Sequence, residues 1–298
     1  MRVLVTGATG FIGQHLVVHL LQGGHTVTVL VRETYGMGRP FPRRLAGVRP
    51  RFNAVYADLR NLALTRRAVQ EAQPEAVVHL AAAGVTNPYL DVDRAMHHNV
   101  TGTLNLLRST FENSEHPRQM VVARTPGERA PSTVYHASKA AAWQFCTMYA
   151  ASQEWPIHGA MIFQAYGPGQ PGKTLVPSAT RAALAGESFP MTSGKQERDW
   201  IYIDDVVRGV AQALVSPPPP GATLELGTGI ATSVAAVVSK IYALVNAGGK
   251  PQPGMLTDRP GEAQRQVAQP EPTRSLLGWE PACSLEEGLQ QTIAAESW

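Results

Sequence analysis

The chain has 298 residues, 44% of them apolar and 16% charged, with a formal net charge of +3. This composition excludes a disordered or collagen-like chain and gives enough length for one large domain or two small ones. The positive excess is scattered; its densest stretch, GRPFPRRLAGVRPR at 38–51, reads as a solvated loop, so no basic face points to nucleic acid.

Residues 2–6 (RVLVT) carry the β-branched apolar run of a buried parallel strand. GATGFIG follows at 7–13, and a helical pattern runs to about Leu21, where Gly23-Gly24 ends it. Further strands are predicted at 26–31, 54–56, 76–80, 120–123 and 158–163. Helices are predicted at about 62–72, 91–113 and 135–153. The alternation predicts a six- or seven-stranded α/β sheet of the doubly wound, Rossmann type. Beyond it, AYGPGQPGK at 165–173 reads as a loop, and a helix is expected at about 175–186. RDWIYIDDVVRGVAQALV at 198–215 begins as strand or loop and becomes helix near Asp204. SPPPPG at 216–221 reads as a surface turn. A strand at 223–226 and helices at 232–246 and 284–296 follow. The expected division is a dinucleotide-binding domain of 1–164 with about 200–228, and a smaller, discontinuous substrate lobe of about 165–199 and 229–298.

Cys146 and Cys283 are the two cysteines, and no CxxC or Cys/His ligand spacing occurs. No metal site is expected, and a reduced, cytosolic protein is the simple reading. Arg2 leads at once into a strand pattern, so no signal peptide is expected. No run of about 18 apolar residues suggests a membrane span.

Gly7, Gly10 and Gly13 form GxxGxxG directly between a strand and a helix. A tight turn, close backbone approach and a helix N-terminus together suit a dinucleotide pyrophosphate. The second strand ends at Val31-Arg32 rather than at an acidic residue. An arginine there can pair with a ribose 2′-phosphate, which leans the reading to NADP(H) over NAD. Arg32 can also stack on adenine or stand in solvent, and Glu33 beside it is a contrary sign. Asp58 suits the adenine amino group, or simply caps the turn after it.

Tyr135 and Lys139 fall one turn apart on a single helical face. An ammonium near a phenol favours the phenolate and lowers its pKa from about 10, so Tyr135 can exchange a proton with a substrate oxygen. Thr125, at the end of the fifth strand, can hold that oxygen. Ser132 and Thr133 are fallbacks, closer to Tyr135 in sequence.

Nine collinear pieces carry a resemblance: TGATGFIG (6–13), ADLR (57–60), HLAA (79–82), HNVTGTLNLL (98–107), YHASK (135–139), YGPG (166–169), RDWIYIDDVV (198–207), DRPGE (258–262) and LGWEP (277–281). With them the chain resembles the extended short-chain dehydrogenases/reductases of the nucleotide-sugar epimerase/dehydratase family, over nearly its full length.

The resemblance implies a catalytic set of Thr125, Tyr135 and Lys139. It implies a cofactor site at Gly7, Thr9, Gly10, Phe11, Ile12, Gly13, Arg32, Asp58, Leu59, Leu80, Ala81 and Ala82, with Tyr135 and Lys139, and it makes Asn99 a brace for the central helix. For a nucleotide-diphosphate sugar it implies Thr86, Gln164, Val176, Arg198 and Arg259, the two arginines clamping the diphosphate. It implies a homodimer through the helices bearing Asn99 and Tyr135; the stretch 140–150 (AAAWQFCTMYA) suits such a contact, or the core.

The chain also departs from the pattern. Nine residues separate Thr125 from Tyr135, fewer than usual, and Arg124 stands where a small residue is common. Met161 and Gln164 replace an Arg and an Asn. The Thr-Asp-Glu triplet of the 4,6-dehydratases is here Thr125-Pro126-Gly127, with Glu128 next, which disfavours a dehydratase.

Two reactions remain. One is NADPH-dependent reduction of the 4-keto group of a nucleotide-linked 4-keto-6-deoxy sugar, the reading that Arg32 favours. The other is C4 epimerisation of a nucleotide sugar with tightly held NAD. A non-catalytic dinucleotide sensor is disfavoured because Tyr135 and Lys139 are both present.

Overall fold

The computed structural model describes residues 1–85, 87, 90–112, 119–258 and 261–296. The chain forms two compact units. The first comprises Met1–Met161, Val207–Leu224 and Ser275–Trp279. The second comprises Ile162–Val206, Glu225–Arg274 and Glu280–Trp298. This division differs from the expected one at residues 162–164, 200–206 and 225–228, which fall in the second unit, and at 275–279, which fall in the first.

The first unit is built on β1 (Arg2–Thr6), β2 (Thr26–Val31), β3 (Asn53–Tyr56), β4 (Ala76–His79), β5 (Gln119–Arg124) and β6 (Ile157–Ile162). Its helices are α1 (Phe11–Gln22), α2 (Arg43–Ala46), α3 (Leu62–Ala72), α4 (Val92–Ala95), α5 (Gly102–Phe111) and α6 (Val134–Gln153). The short β7 (Gln164–Tyr166) and α7 (Leu175–Leu184) follow, with β8 (Phe189–Pro190), β9 (Glu197–Tyr202), α8 (Ile203–Val215) and β10 (Thr223–Leu226).

The sheet order is β10-β6-β5-β4-β1-β2-β3. β1 pairs in parallel with β2 on one side and β4 on the other, so the strand order reverses at β1. Ligands of such sheets bind outside the carboxyl ends of the strands at that reversal. The central strands are apolar along their whole length because both faces are covered: β4 and β6 are buried at every position. Leu4, Val77, Leu106, Met120, Trp143 and Ile157 are among the side chains that form one buried cluster.

α4 and α5 are joined by a π-helical segment, Met96–Thr101, so the expected helix of 91–113 carries one widened stretch, with Asn99 inside it. Such insertions re-aim a side chain that a regular helix would point elsewhere. α6 begins at Thr133, whose hydroxyl accepts from the His136 amide at 3.2 Å.

In the second unit β9 is the central strand. It pairs with β7 in parallel, with β11 (Ala231–Ser233) antiparallel, and with β13 (Arg265–Gln266) in parallel. These ladders explain why residues 200–202 belong to this unit. They also correct the reading of 165–173 as loop from its first residue, since Gln164–Tyr166 is a strand in register with Trp200–Tyr202. β12 (Pro251–Gln252) pairs with β8. α7, α9 (Val234–Val245) and α11 (Leu285–Glu296) pack on one another; α10 (Glu271–Leu277) precedes α11. No described helix is long and apolar enough to cross a membrane.

Candidate active site

The turn between β1 and α1 is shaped by what its glycines lack. Gly7 has φ +69°, and a Cβ there would lie 2.5 Å from the Ala81 nitrogen. A Cβ on Gly13 would lie 2.3 Å from the Gly7 carbonyl oxygen. The Gly10 amide donates to that same oxygen at 3.0 Å, and Gly10 heads α1 without a side-chain cap. The first-turn amides of α1 thus face out of a tight cradle beside Leu80 and Ala81, a fit for a pyrophosphate. Thr9, Phe11 and Ile12 belong to this turn and the first turn of α1.

Arg32 is exposed at the end of β2. Together with Arg60 and Arg94 it bears on His98, whose pKa is lowered first by burial and then by these cations. The Asp58 carboxylate accepts from the Arg60 amide at 3.0 Å and pairs with the Arg60 side chain. The Arg60 hydrogen bond holds the Asp58 pKa down at about 2. Leu59 follows it, its carbonyl accepting from Asn105 Nδ2 at 2.8 Å.

At the end of β4 a continuous hydrogen-bond chain runs through His79. The Ala81 amide donates to Thr6 Oγ1 at 3.3 Å, and Thr6 Oγ1 lies 2.7 Å from His79 Nδ1. His79 Nε2 lies 2.9 Å from Thr103 Oγ1, which donates to the Asn99 carbonyl at 2.6 Å. Thr103 spends its proton on Asn99, so it accepts from His79 Nε2–H, and Nδ1 accepts from Thr6. The imidazole is neutral, and burial pushes its pKa down to about 3.

Asn99 binds the Ala83 backbone with both ends of its amide, at 2.7 and 2.9 Å, and donates to Ser138 Oγ at 2.9 Å. Ser138 in turn donates to the Tyr135 carbonyl. Asn99 therefore braces the segment after β4 and the first turn of α6. Ala82 is exposed on that segment.

Thr125 follows β5 and heads a short turn, Pro126–Arg129. It forms a capping box with Glu128: Glu128 Oε1 accepts from the Thr125 amide at 3.0 Å, and the Glu128 amide returns to Thr125, donating to its carbonyl at 3.0 Å. Gly127 packs against the His136 ring, which brings this turn onto the start of α6. Tyr135 lies there, its Cβ 3.3 Å from where a side chain on Gly84 would begin. Lys139, one turn on, is 4% exposed. Thr125, Tyr135 and Lys139 are thus brought to the carboxyl ends of β4 and β5. Ser132 is exposed, and Thr133 is occupied as the cap of α6.

The electrostatics correct one expectation. Tyr135 is not eased toward phenolate here: burial raises its pKa, and the Glu128 carboxylate adds to the rise. Burial also lowers the pKa of Lys139, against the pull of Glu128.

In the second unit Arg198 is buried and donates to Glu262 Oε1 at 2.8 Å and to the Glu197 carbonyl. Gln164 is half-buried in β7. Val176 is 1% exposed, so its side chain is packed inside this unit. Thr86 and Arg259 lie outside the described residues. Asp199, beside Arg198, has a structural task the sequence did not signal: its carboxylate accepts from the amides of Thr228, Gly229 and Ala268 and from the Thr228 hydroxyl.

A family model described as "NAD dependent epimerase/dehydratase family" matches residues 3–227. The chain belongs to this family. It is an enzyme of the extended short-chain dehydrogenase/reductase type. It is 30% identical to a dTDP-glucose 4,6-dehydratase of Xanthomonas campestris pv. campestris, over 97% of this chain and 91% of that protein. It is also 30% identical to a UDP-glucose 4-epimerase of Mycolicibacterium smegmatis, over 98% and 97%. Among solved structures, MoeE5 in complex with UDP-glucuronic acid and NAD is 28% identical, with a TM-score of 0.86, covering 100% of this chain and 99% of that one. Epimerases and dehydratases of the family are thus matched at similar strength.

Proposed function

We propose that this enzyme is a nucleotide-sugar 4-epimerase that works with a tightly held NAD. The observation that carries the reading is an acid/base tyrosine site without a dehydratase's carboxylates. Pro126 and Gly127 follow Thr125 in place of Asp and Glu, and both oxygens of the nearby Glu128 are engaged, by the Thr125 amide and by Arg124. The full-length likeness to a UDP-glucose 4-epimerase supports it.

The glycine cradle, Leu80, Ala81 and Lys139 are the residues that would hold the dinucleotide, which supplies reversible hydride acceptance when bound. The chain's own groups handle the proton. Tyr135 Oη takes the proton of the C4 hydroxyl and returns it to the C4 oxygen after the sugar has turned over, while Thr125 donates to that oxygen. Burial keeps the Tyr135 phenol protonated, the form that gives the proton. Taking one requires positive charge beside the phenolate, and Lys139 on the same helical face is the chain's own source. Arg198 suits the diphosphate; to bind it, the guanidinium exchanges Glu262 for phosphate oxygens.

The test is incubation of purified protein with UDP-glucose, UDP-galactose and UDP-glucuronate, without added cofactor, after mass-spectrometric identification of the dinucleotide it carries. Bound NAD and formation of a C4 epimer support the reading. A second reading, NADPH-dependent reduction of a 4-keto-6-deoxy sugar, is favoured by the exposed Arg32 with Arg60 and Arg94 nearby. Protein that arrives free of dinucleotide and prefers NADPH would replace the first reading with this one. A homodimer is part of both readings: Val92 and Met96, before α5, and Phe145 and Met148, on α6, expose large apolar side chains on the two helices that the resemblance names. Sedimentation at micromolar concentration tests it.

A further inference from the structure

The turn that carries Thr125 is held by a buried ion pair. Arg124 Nε donates to Glu128 Oε2 at 2.7 Å, with 12% and 2% of the two side chains exposed. Arg124 Nη1 donates to Thr223 Oγ1 at 2.6 Å, and its guanidinium carbon lies 4.3 Å from the Trp143 ring centroid. Room for this arginine depends on Gly159. A Cβ there would come 2.7 Å from Arg124 Cδ and 2.8 Å from the Trp143 ring. Residues of β5, β6, α6 and β10 thus form a fitted slot for one cation.

The pair reaches Thr125 through the capping box. Glu128 Oε2 is fixed by Arg124, which leaves Oε1 to accept from the Thr125 amide. The Glu128 amide in turn donates to the Thr125 carbonyl oxygen at 3.0 Å and closes the capping box on its side chain. Thr125 is thus held by Glu128 at both its amide and its carbonyl, which fixes the direction in which its hydroxyl leaves the turn. Without the cation, the buried Glu128 would carry an uncompensated charge and the turn would lose its anchor.

We propose that Arg124 and Glu128 are a positioning pair that makes Thr125 an oriented hydrogen-bond donor to the substrate oxygen at the reacting carbon. This rests on Thr125, Tyr135 and Lys139 being the acid/base set. With both side chains buried, the pair acts through Thr125. It also accounts for an arginine at a place where the family commonly has a small residue: the short connection to Tyr135 is held from beneath by a charge pair.

The test compares Glu128→Gln, Arg124→Lys, Thr125→Val and the double variant Thr125→Val/Glu128→Gln. Turnover is measured on whichever of UDP-glucose, UDP-galactose and UDP-glucuronate the wild type converts fastest. Hydrogen exchange of the Thr125 amide is measured without substrate. Glu128→Gln is expected to lower kcat by about 10²-fold with KM within about twofold, the scale of a misplaced reacting group. The double variant is expected to be no slower than Thr125→Val, because Glu128 acts through Thr125. Thr125 amide exchange is expected to accelerate in Glu128→Gln, and less so in Arg124→Lys, which keeps the cation. Wild-type turnover in Glu128→Gln, or losses that multiply in the double variant, would overturn the proposal. If Glu128→Gln fails to fold, Arg124→Lys combined with Thr125→Val serves the same cycle. Tyr135→Phe separates the two failures: if it keeps full turnover, the acid/base reading itself is wrong. If no sugar is converted by the wild type, that reading also falls, and unchanged Thr125 exchange in both single variants would overturn the pair.

Discussion

Asn99 Nδ2 stands 2.9 Å from Ser138 Oγ, and Ser138 donates to the carbonyl of Tyr135. One buried amide therefore ties the π-helical segment to the residue placed to exchange protons. Asn99→Ala strands the Ala83 backbone groups and frees the start of α6. A stability loss of about 1–3 kcal/mol is expected, with a fall in kcat larger than any rise in KM. Chemical denaturation and steady-state kinetics on the same preparation read the two effects.

His79 makes stability depend on pH. Its folded pKa is about 3 against 6.5 in an unfolded chain, so below pH 6.5 the unfolded state binds a proton that the folded state refuses. The contribution is fully present above pH 6.5 and is lost as pH falls toward 3, at about 1 kcal/mol per pH unit. The other histidines with lowered pKa values act in the same direction. Comparison with His79→Gln isolates this one: the variant is expected to be less stable at pH 7.5 but to lose less between pH 6.5 and 4.5. Melting temperatures across that range check it.

Gly13→Ala places a methyl group 2.3 Å from the Gly7 carbonyl oxygen. The turn has to open, at about 1–3 kcal/mol, and the amides of α1 lose their aim. Weaker dinucleotide binding is expected, read by quenching of protein fluorescence, with the second unit's thermal behaviour unchanged.

Tyr135→Phe removes the phenol O–H at the start of α6 while leaving the ring in place. Turnover is expected to fall by about 10²–10⁴-fold with dinucleotide affinity nearly unchanged. A titration with the bound form and an assay with nucleotide sugar separate the two quantities.

Much of this site was legible because it is local. The glycine turn follows its strand within one residue, and Tyr135 and Lys139 share a helical face by spacing alone. The resemblance pointed to Asn99 as a brace, though not to its partners Ala83 and Ser138. The long-range pieces were not legible. Thr6 and His79 are 73 residues apart, and Arg124 and Thr223 are 99 apart, so no local pattern announces either pair. The direction of the Tyr135 shift is not legible in the motif because it is set by burial, which depends on the whole fold, and then by the Glu128 carboxylate. The strand at Gln164–Tyr166 was missed because Gly and Pro crowd the residues just after it, while its pairing partner lies in RDWIYI.

The most direct test of C4 epimerisation is the fate of deuterium placed at C4 of UDP-glucose, UDP-glucuronate and dTDP-glucose, incubated with the enzyme and no added cofactor. The account predicts that one of them gives its C4 epimer with the deuterium still at C4. Deuterium found at C6 of a 4-keto-6-deoxy product, or no epimer from any of the three, would contradict it.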